Sequence, residues 1–426
     1  MQLTTQSDAN PADRRQVTGG AAFRHADFRN FFLARSVSRL AVEMQVTAIG
    51  WQVYNMTGKA FDLGLIGLAL ILPFLILFPA AGLAADRFPR SRIITVCLSV
   101  EAVCALIFLV LTATGEITFP LILATLALFG LSRTFQTPAE QAIVPILVPK
   151  EAFSNAIAWS SAGSYVARIA GPGIAGLMII AGEQWVYGAV FVAIVAAAVF
   201  ATLIRVNTQI IASEPLNFAT VFAGLRFISK RQIMMGAISL DMFAVFLGGA
   251  VALLPIYAKD ILAVGPEGFG ALRAAITIGA LSGAVYFTRR PIRRGAGRKL
   301  LSTVALFGLA TVVFGISESF WLSLFMLYAM GVFDSVSVFI RTTLVQIVAP
   351  DQLRGRVNAV NSVFIGASNE LGEFESGVTA AWWGTVPAVI VGGIGTICVA
   401  LVFARIFPQL RGADSLDPDD LVRKYQ

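Results

Sequence analysis

From Phe28 onward the chain alternates long apolar runs with short polar or basic breaks. Runs long enough to cross a bilayer, about 20 residues, fall near 30–54, 61–85, 92–114, 118–146, 154–181 and 184–205. Six more follow near 233–262, 266–288, 300–316, 319–347, 356–382 and 385–407. The pattern predicts an all-α polytopic membrane protein of twelve transmembrane helices in two pseudo-symmetric six-helix bundles. The first twenty residues, MQLTTQSDANPADRRQVTGG, lack the apolar centre of a signal peptide and read as a disordered lead-in. Between the sixth and seventh runs, Phe218, Val221, Phe222 and Leu225 recur at helical spacing with basic residues behind them. That spacing predicts a surface helix joining two bundles. The organisation is then a tail over 1–28, a bundle over 29–206, a linker over 207–231, a second bundle over 232–407 and a tail over 408–426.

Each half repeats the other at a constant offset of 201 residues: Gly82 falls on Gly283, Gly130 on Gly331, Pro149 on Pro350, Gly171 on Gly372, and Gly176 on Gly377. Glycines kept at matching places in a membrane chain mark points where helix backbones approach closely.

Charge fixes an expected orientation. Of 32 basic residues, 24 lie in the tails, the central linker and the even-to-odd loops, whereas the opposite loops and helix ends offer Lys59 and Lys259. The basic side is expected to be cytoplasmic, with both termini there, in a cell inner membrane. Trp51, Trp185, Trp321, Trp382 and Trp383 are expected to form an aromatic belt at the other interface. A chain 57% hydrophobic and 13% charged, with mean hydropathy +0.78, excludes a soluble enzyme. The net charge of +7 faces headgroups rather than nucleic acid. His25, the single histidine, lies in the polar tail, and Cys97, Cys104 and Cys398 lack ligand spacing. They read as buried thiols. No metal, cofactor or nucleotide site is implied, so ATP is excluded as a direct energy source.

The loop GLAADRFPRSR resembles the G-x-x-x-D-R-x-G-R-R signature of the major facilitator superfamily through Gly82, Asp86, Arg87 and Arg90; Pro89 and Ser91 depart from it. ARIAGPGIAG resembles the fifth-helix antiporter signature through Gly171, Pro172 and Gly176, with Ala167 and Ala175 in place of glycines. With WQVYNMTGKAFDLGLIGLALILPFL, TPAEQAIVPILVP and APDQLRGRVNAVNSVFIGASNELGEFESG, the chain is similar to the enterobactin-exporter branch of that superfamily from Phe28 to Phe407. The resemblance implies alternating access between two bundles and proton-coupled outward movement of a small organic molecule.

The residues themselves carry an independent reading. Gly82 permits close helix approach, Asp86 can accept hydrogen bonds from a neighbouring helix start, and Arg87 and Arg90 can pair with acids or headgroups. With Arg354 and Arg356 at the entrance to the eleventh run, these form an expected gate; plain topogenic charge is the alternative. Gly171-Pro172 is either a hinge or a packing point. Arg35, Arg39 and Glu43 succeed one another at i, i+4 and i+8, a polar stripe expected to line the path between bundles. Arg133, Gln136, Arg168 and Arg341 extend that lining, while Arg273 and Glu101 also lie within runs. Arg133 matches Asp334 at the repeat offset, which invites a cross-bundle pair.

The stretch NELGEFESG places three glutamates in an otherwise membrane-compatible run. Glu370 lies roughly 21 Å up the helix from Arg356, near the middle of the membrane. Glu373 is about 60° round from Glu370, whereas Glu375 is about 200° on from Glu373 and should pair with a neighbouring helix. Two close carboxylates in low dielectric do not both ionise easily, so Glu370 and Glu373, with Asp241 and Asp334, are the expected proton carriers. A static ion pair is the alternative. The expected partners are thus a small-molecule substrate, protons and membrane lipid, with the protein a monomer. The leading expectation is proton antiport of a catecholate siderophore. The alternatives are multidrug efflux of lipophilic cations and lysophospholipid translocation.

Overall fold

The structure is a computed structural model, and it describes residues 20–206, 225–290, 294–414 and 421. The tail over 1–19, most of the expected linker helix (Phe218, Val221 and Phe222 included) and Arg293 lie outside the described residues, as do the side chains of Arg354 and Arg356.

Six long helices form the first half: α1 (Ala26–Thr57), α2 (Ala60–Arg87), α3 (Arg90–Thr114), α4 (Phe119–Leu147), α5 (Lys150–Ile179) and α6 (Glu183–Thr202). The second half repeats the plan with α7 (Gln232–Ile261), α8 (Gly265–Arg289), α9 (Ala296–Ile316), α10 (Phe320–Val348), α11 (Asp351–Trp383) and α12 (Thr385–Ile406). Among the described residues nine of these are long and apolar enough to cross a membrane. The other three, α1, α5 and α11, run to 30 residues or more. Composition sets them apart, not length, because they carry the stripe of α1, Arg168 with several glycines and serines, and the glutamates of α11. Helices this polar tolerate a bilayer only where their charged faces turn inward.

α7 is continuous only to Leu247. It then passes through a 3-10 turn at Ala250–Leu253 and a π turn at Tyr257–Ile261. Tyr257 Oη donates to the Gly315 carbonyl at 2.9 Å, which fixes that turn on α9. Such broken helices are tolerated at membrane depth because neighbouring helices satisfy the freed backbone groups.

The repeated glycines make equivalent contacts in the two halves. Gly130 of α4 abuts the backbone of Leu70 on α2, as Gly331 of α10 abuts Ile276 on α8. Gly171 lies against Glu43 on α1, and Gly372 against Val245 and Phe246 on α7. Gly176 crosses to Pro266 and Gly270 on α8, as Gly377 crosses to Ala60 and Gly64 on α2. Among the interfaces that join the halves, α2 with α11 and α5 with α8 are therefore related by the repeat.

Both interfaces lie away from the basic end. The larger apolar cluster fills the first half and crosses into the second through Leu253, Leu254, Tyr257 and Phe269. A separate cluster, with Leu300, Ile340, Leu344 and Val357, fills the basic end of the second half. The halves thus share a core at one end only.

Some expectations need correction. Trp51 is buried and stacks on Phe269 at 5.9 Å between ring centroids. It seals the halves and does not belong to the exposed belt of Trp185, Trp321, Trp382 and Trp383. Cys97 and Cys104 are buried as expected, but Cys398 faces outward.

At the α2–α11 crossing, a methyl on Gly64 would come 2.9 Å from the Phe374 carbonyl oxygen and 3.0 Å from the Gly377 Cα. Overpacking here costs about 1–3 kcal/mol, enough to shift a two-state ratio roughly fivefold or more. Gly64→Leu is therefore expected to open the shared end. The check is labelling of Trp51→Cys, in a chain free of its native cysteines, by a thiol reagent that cannot cross membranes; labelling should rise in the Gly64→Leu background.

Candidate functional site

Between the halves lies a cavity of about 700 Å³. Its wall toward the basic end includes Phe78 and Gly82 of α2, Pro138 and Gln141 of α4, and Asn358 and Ser362 of α11. Its inner wall includes Arg39, Glu43, Arg133, Arg273, Glu370 and Glu373. Asn358 and Glu373 are separated by about 22 Å along α11 at 1.5 Å per residue, which gives the depth.

The far end is closed by contacts across the halves. Tyr54 Oη donates to the carboxylate of Asp260, and Lys259 Nζ donates to Asn55 Oδ1 at 2.6 Å. Lys259 also sits 5.5 Å from the centre of the Tyr54 ring. Close helix approach sets the position of the acids below this seal: a methyl on Gly67 of α2 would meet the Glu370 carbonyl oxygen at 2.8 Å and Glu373 Cβ at 3.2 Å.

The stripe of α1 divides. Arg39 and Glu43 face the cavity, but Arg35 turns to Glu140 of α4, with Nε 3.6 Å from Oε2. Gln136 is buried away from the lining and donates to Glu140 Oε1 at 2.7 Å. Arg168 Nε lies 3.7 Å from Glu43 Oε1. Arg39 and Arg133 form no ion pair among the described residues and act on each other as like charges. Two guanidiniums left facing one cavity make a place for an anionic or oxygen-rich group. Phe74, Phe78 and Phe129 supply apolar wall beside them.

Glu370 and Glu373 face the cavity together, on the shared face that their spacing requires, with Arg273 of α8 acting on both. Glu370 Oε2 is buried without a hydrogen-bond partner among the described residues. Glu375 was expected to pair with a neighbouring helix but sits against Ser376 of its own helix. Arg133 and Asp334 are not brought together; the charge acting on Asp334 is Arg168, and Arg133 acts on Glu370. Asp241 and Arg341 lie outside the lining, as a buried ion pair between α7 and α10. The repeat offset aligns positions within each half and says nothing of which residues face one another across the axis.

At the start of α3, Arg90 is buried. Its Nη1 donates to the Ala142 carbonyl at 2.8 Å and its Nε to the Ala85 carbonyl at 3.4 Å. These hydrogen bonds to backbone tie the end of α2 to α4, and Asp86 acts on Arg90 electrostatically. Arg87 lies beside Asp86 at the end of α2. α5 runs unbroken through Gly171-Pro172 and presents the Pro172 carbonyl to Gly270.

Four participants were missed by the sequence reading as site residues: Arg273, Glu140, and the Tyr54–Asp260 couple. Arg273 is the one base in the middle of the eighth run. Glu140 lies four residues beyond Gln136 and seven beyond Arg133, on the same helical face. No local signal marks Tyr54 and Asp260, which meet only through the fold.

Two repeated helical halves around a charged cavity, sealed at one end, define a membrane transporter of the major facilitator class. The model of the family described as "Transmembrane secretion effector" matches residues 17–423, and the chain belongs to that family. It is 26% identical over 402 residues to an enterobactin exporter, EntS, of Escherichia coli O1:K1 / APEC, covering 91% of this chain and 93% of that one. It is 26% identical over 401 residues to the EntS of Shigella dysenteriae serotype 1 (strain Sd197), with the same coverage. Among solved structures it resembles a bacterial homologue of the human lysosomal transporter Spinster in an inward-facing, unoccupied conformation. The TM-score is 0.69 at 14% identity, over 94% of this chain and 98% of that one. A bacterial homologue of the iron transporter ferroportin, inward-facing, gives a TM-score of 0.68 at 15% identity over 90% and 98%. These structural likenesses establish the fold. The chain is thus a multi-pass membrane transporter related to an exporter, not an enzyme.

Proposed function

We propose that this protein exports a small amphipathic organic molecule, foremost a catecholate siderophore, in exchange for protons. The observation that carries the reading is the one cavity whose lining brings together Arg39 and Arg133, Phe74 and Phe78, and the Glu370–Glu373 pair. Its volume falls in the range of small-molecule sites, about 300–1,000 Å³. Catecholate oxygens suit the two guanidiniums, which form no ion pair among the described residues, and the aromatic rings of the cargo suit the phenylalanines. The likeness to enterobactin exporters supports the same choice.

In this reading the basic end is cytoplasmic, both termini lie there, and the membrane is the inner one. The halves over 29–206 and 232–407 rock as a monomer about the α2–α11 and α5–α8 contacts, with the linker over 207–231 tethering them. Cargo enters from the cytoplasm, protons from outside reach Glu370 and Glu373 when the Tyr54–Asp260 seal parts, and each proton entering down 100 mV supplies about 2.3 kcal/mol. The α2–α3 loop and Arg354 and Arg356 would close the cytoplasmic end in the alternate state.

One observation favours a second reading, efflux of lipophilic cations: Glu43, Glu370 and Glu373 line the blind end of the cavity together. Deleting the gene under iron starvation separates the two. Siderophore export predicts a chelator retained inside cells and missing from spent medium, with drug sensitivity unchanged; cation efflux predicts the reverse. Neither phenotype would defeat both.

A further inference from the structure

α3 carries one acid in mid-helix, Glu101, which plays no part in the cavity wall. Its side chain is fully buried, and neither Oε1 nor Oε2 has a hydrogen-bond partner among the described residues. The charges that reach it come from two elements. α4 brings Arg133 and Glu140, and α1 brings Arg39, with Arg133 acting most strongly. α6 also packs on α3, but its titratable side chains, Glu183 and Tyr187, sit at its start, and Tyr187 stacks on Phe108 two turns along from Glu101. On α3 itself, Cys97 and Cys104 flank the acid by one turn on either side.

A bare carboxylate sealed from water with no donor on either oxygen is not a stable species in a membrane interior. A neutral carboxyl suits that setting better than a carboxylate. Glu101 is also cut off from the cavity. Val42, Cys104 and Phe129 form an apolar cluster with Val46, Leu70 and Val100 packed on it. Val42, Val46, Leu70 and Phe129 line the cavity, while Val100 and Cys104 belong to the helix of Glu101. The cation beside this barrier is Arg133, one turn beyond Phe129. It faces the cavity, forms no ion pair among the described residues, and acts on Glu370 as well as on Glu101.

We propose that Glu101 is a second proton-binding site of the carrier, located in the first half and controlled by Arg133. While Arg133 faces the cavity, Glu101 keeps its proton. When the guanidinium turns back past Phe129 it parts that apolar barrier; the carboxyl O–H then breaks, the proton passes through the opening to cavity water, and the carboxylate pairs with Arg133, whose own charge is unchanged. Each half would then own an acid coupled to the same arginine, Glu370 from across the cavity and Glu101 from behind it. The proposal rests on the proton-driven reading above, but its test is separate.

The test is infrared difference spectroscopy of the purified full-length protein across the neutral and alkaline range. A carboxylic C=O band is expected in the wild type at neutral pH, absent in Glu101→Gln and shifted in Glu101→Asp. In Arg133→Gln the band should persist at alkaline pH where the wild type has lost it. Glu101→Gln, which matches the neutral acid in shape, should unfold at the wild-type temperature. If Glu101→Gln removes no band at any pH, or unfolds early because a lone Arg133 charge is left behind, Glu101 is a fixed counter-ion and the proposal falls. A band indifferent to Arg133→Gln would remove the arginine's control. Loss of proton-driven transport in cavity variants with this band intact would bear on the proposed function alone.

Discussion

Under the proposed proton exchange, vesicles containing the Glu370→Gln, Glu373→Gln double variant are expected to lose uphill accumulation of a catecholate siderophore on a pH difference, while still equilibrating it across the membrane. Both carboxyls face the cavity where α11 crosses α2, and both lie within reach of Arg273. Neutral glutamines keep the shape and remove the proton site. A one-to-one exchange can support about tenfold accumulation per pH unit, since a pH unit is worth about 1.36 kcal/mol. The variant should sit near unity instead. Tracer counting in vesicles with an imposed pH step reads the ratio directly, and a double variant that still reaches the wild-type ratio would end the account of the pair as proton carriers. Single variants should fall between, because one acid of a close pair can stand in for the other.

The second large effect concerns Asp241 and Arg341, which sequence reading assigns to proton coupling and cavity lining. The two form a buried ion pair between α7 and α10, well inside the second half. Removing one partner strands the other charge, at a cost of about 3–5 kcal/mol, whereas replacing both by apolar residues of similar size is often neutral or better. Asp241→Leu alone should therefore lower the thermal midpoint in detergent sharply. Asp241→Leu with Arg341→Met should recover it and retain transport. A double variant that is stable yet unable to move cargo would return the pair to the transport machinery.

Much of the fold can be read along the chain. The lengths of the apolar runs, the 201-residue offset and the basic loops follow from local spacing, and α1, α4 and α10 fall within a few residues of the expected spans. The Glu370–Glu373 face is likewise a matter of helical periodicity. What the repeat could not supply is the contact between halves. The repeat makes Arg133 and Asp334 equivalent within their own halves and leaves open what each of them faces across the cavity. Arg133 is left facing Glu370 and Arg39.

The sequence by itself determined the helices, their division into repeated halves and the identity of the charges that must be kept from lipid, because hydrophobic length and helical period are local properties. Only the tertiary structure decided which charges share water and which are locked together. That depends on the rotation of each helix about its axis and on glycine contacts such as Gly64 with Gly377, between residues more than 300 positions apart. A side chain a third of a turn further round its helix faces a different neighbour, and no pattern within one run records that angle.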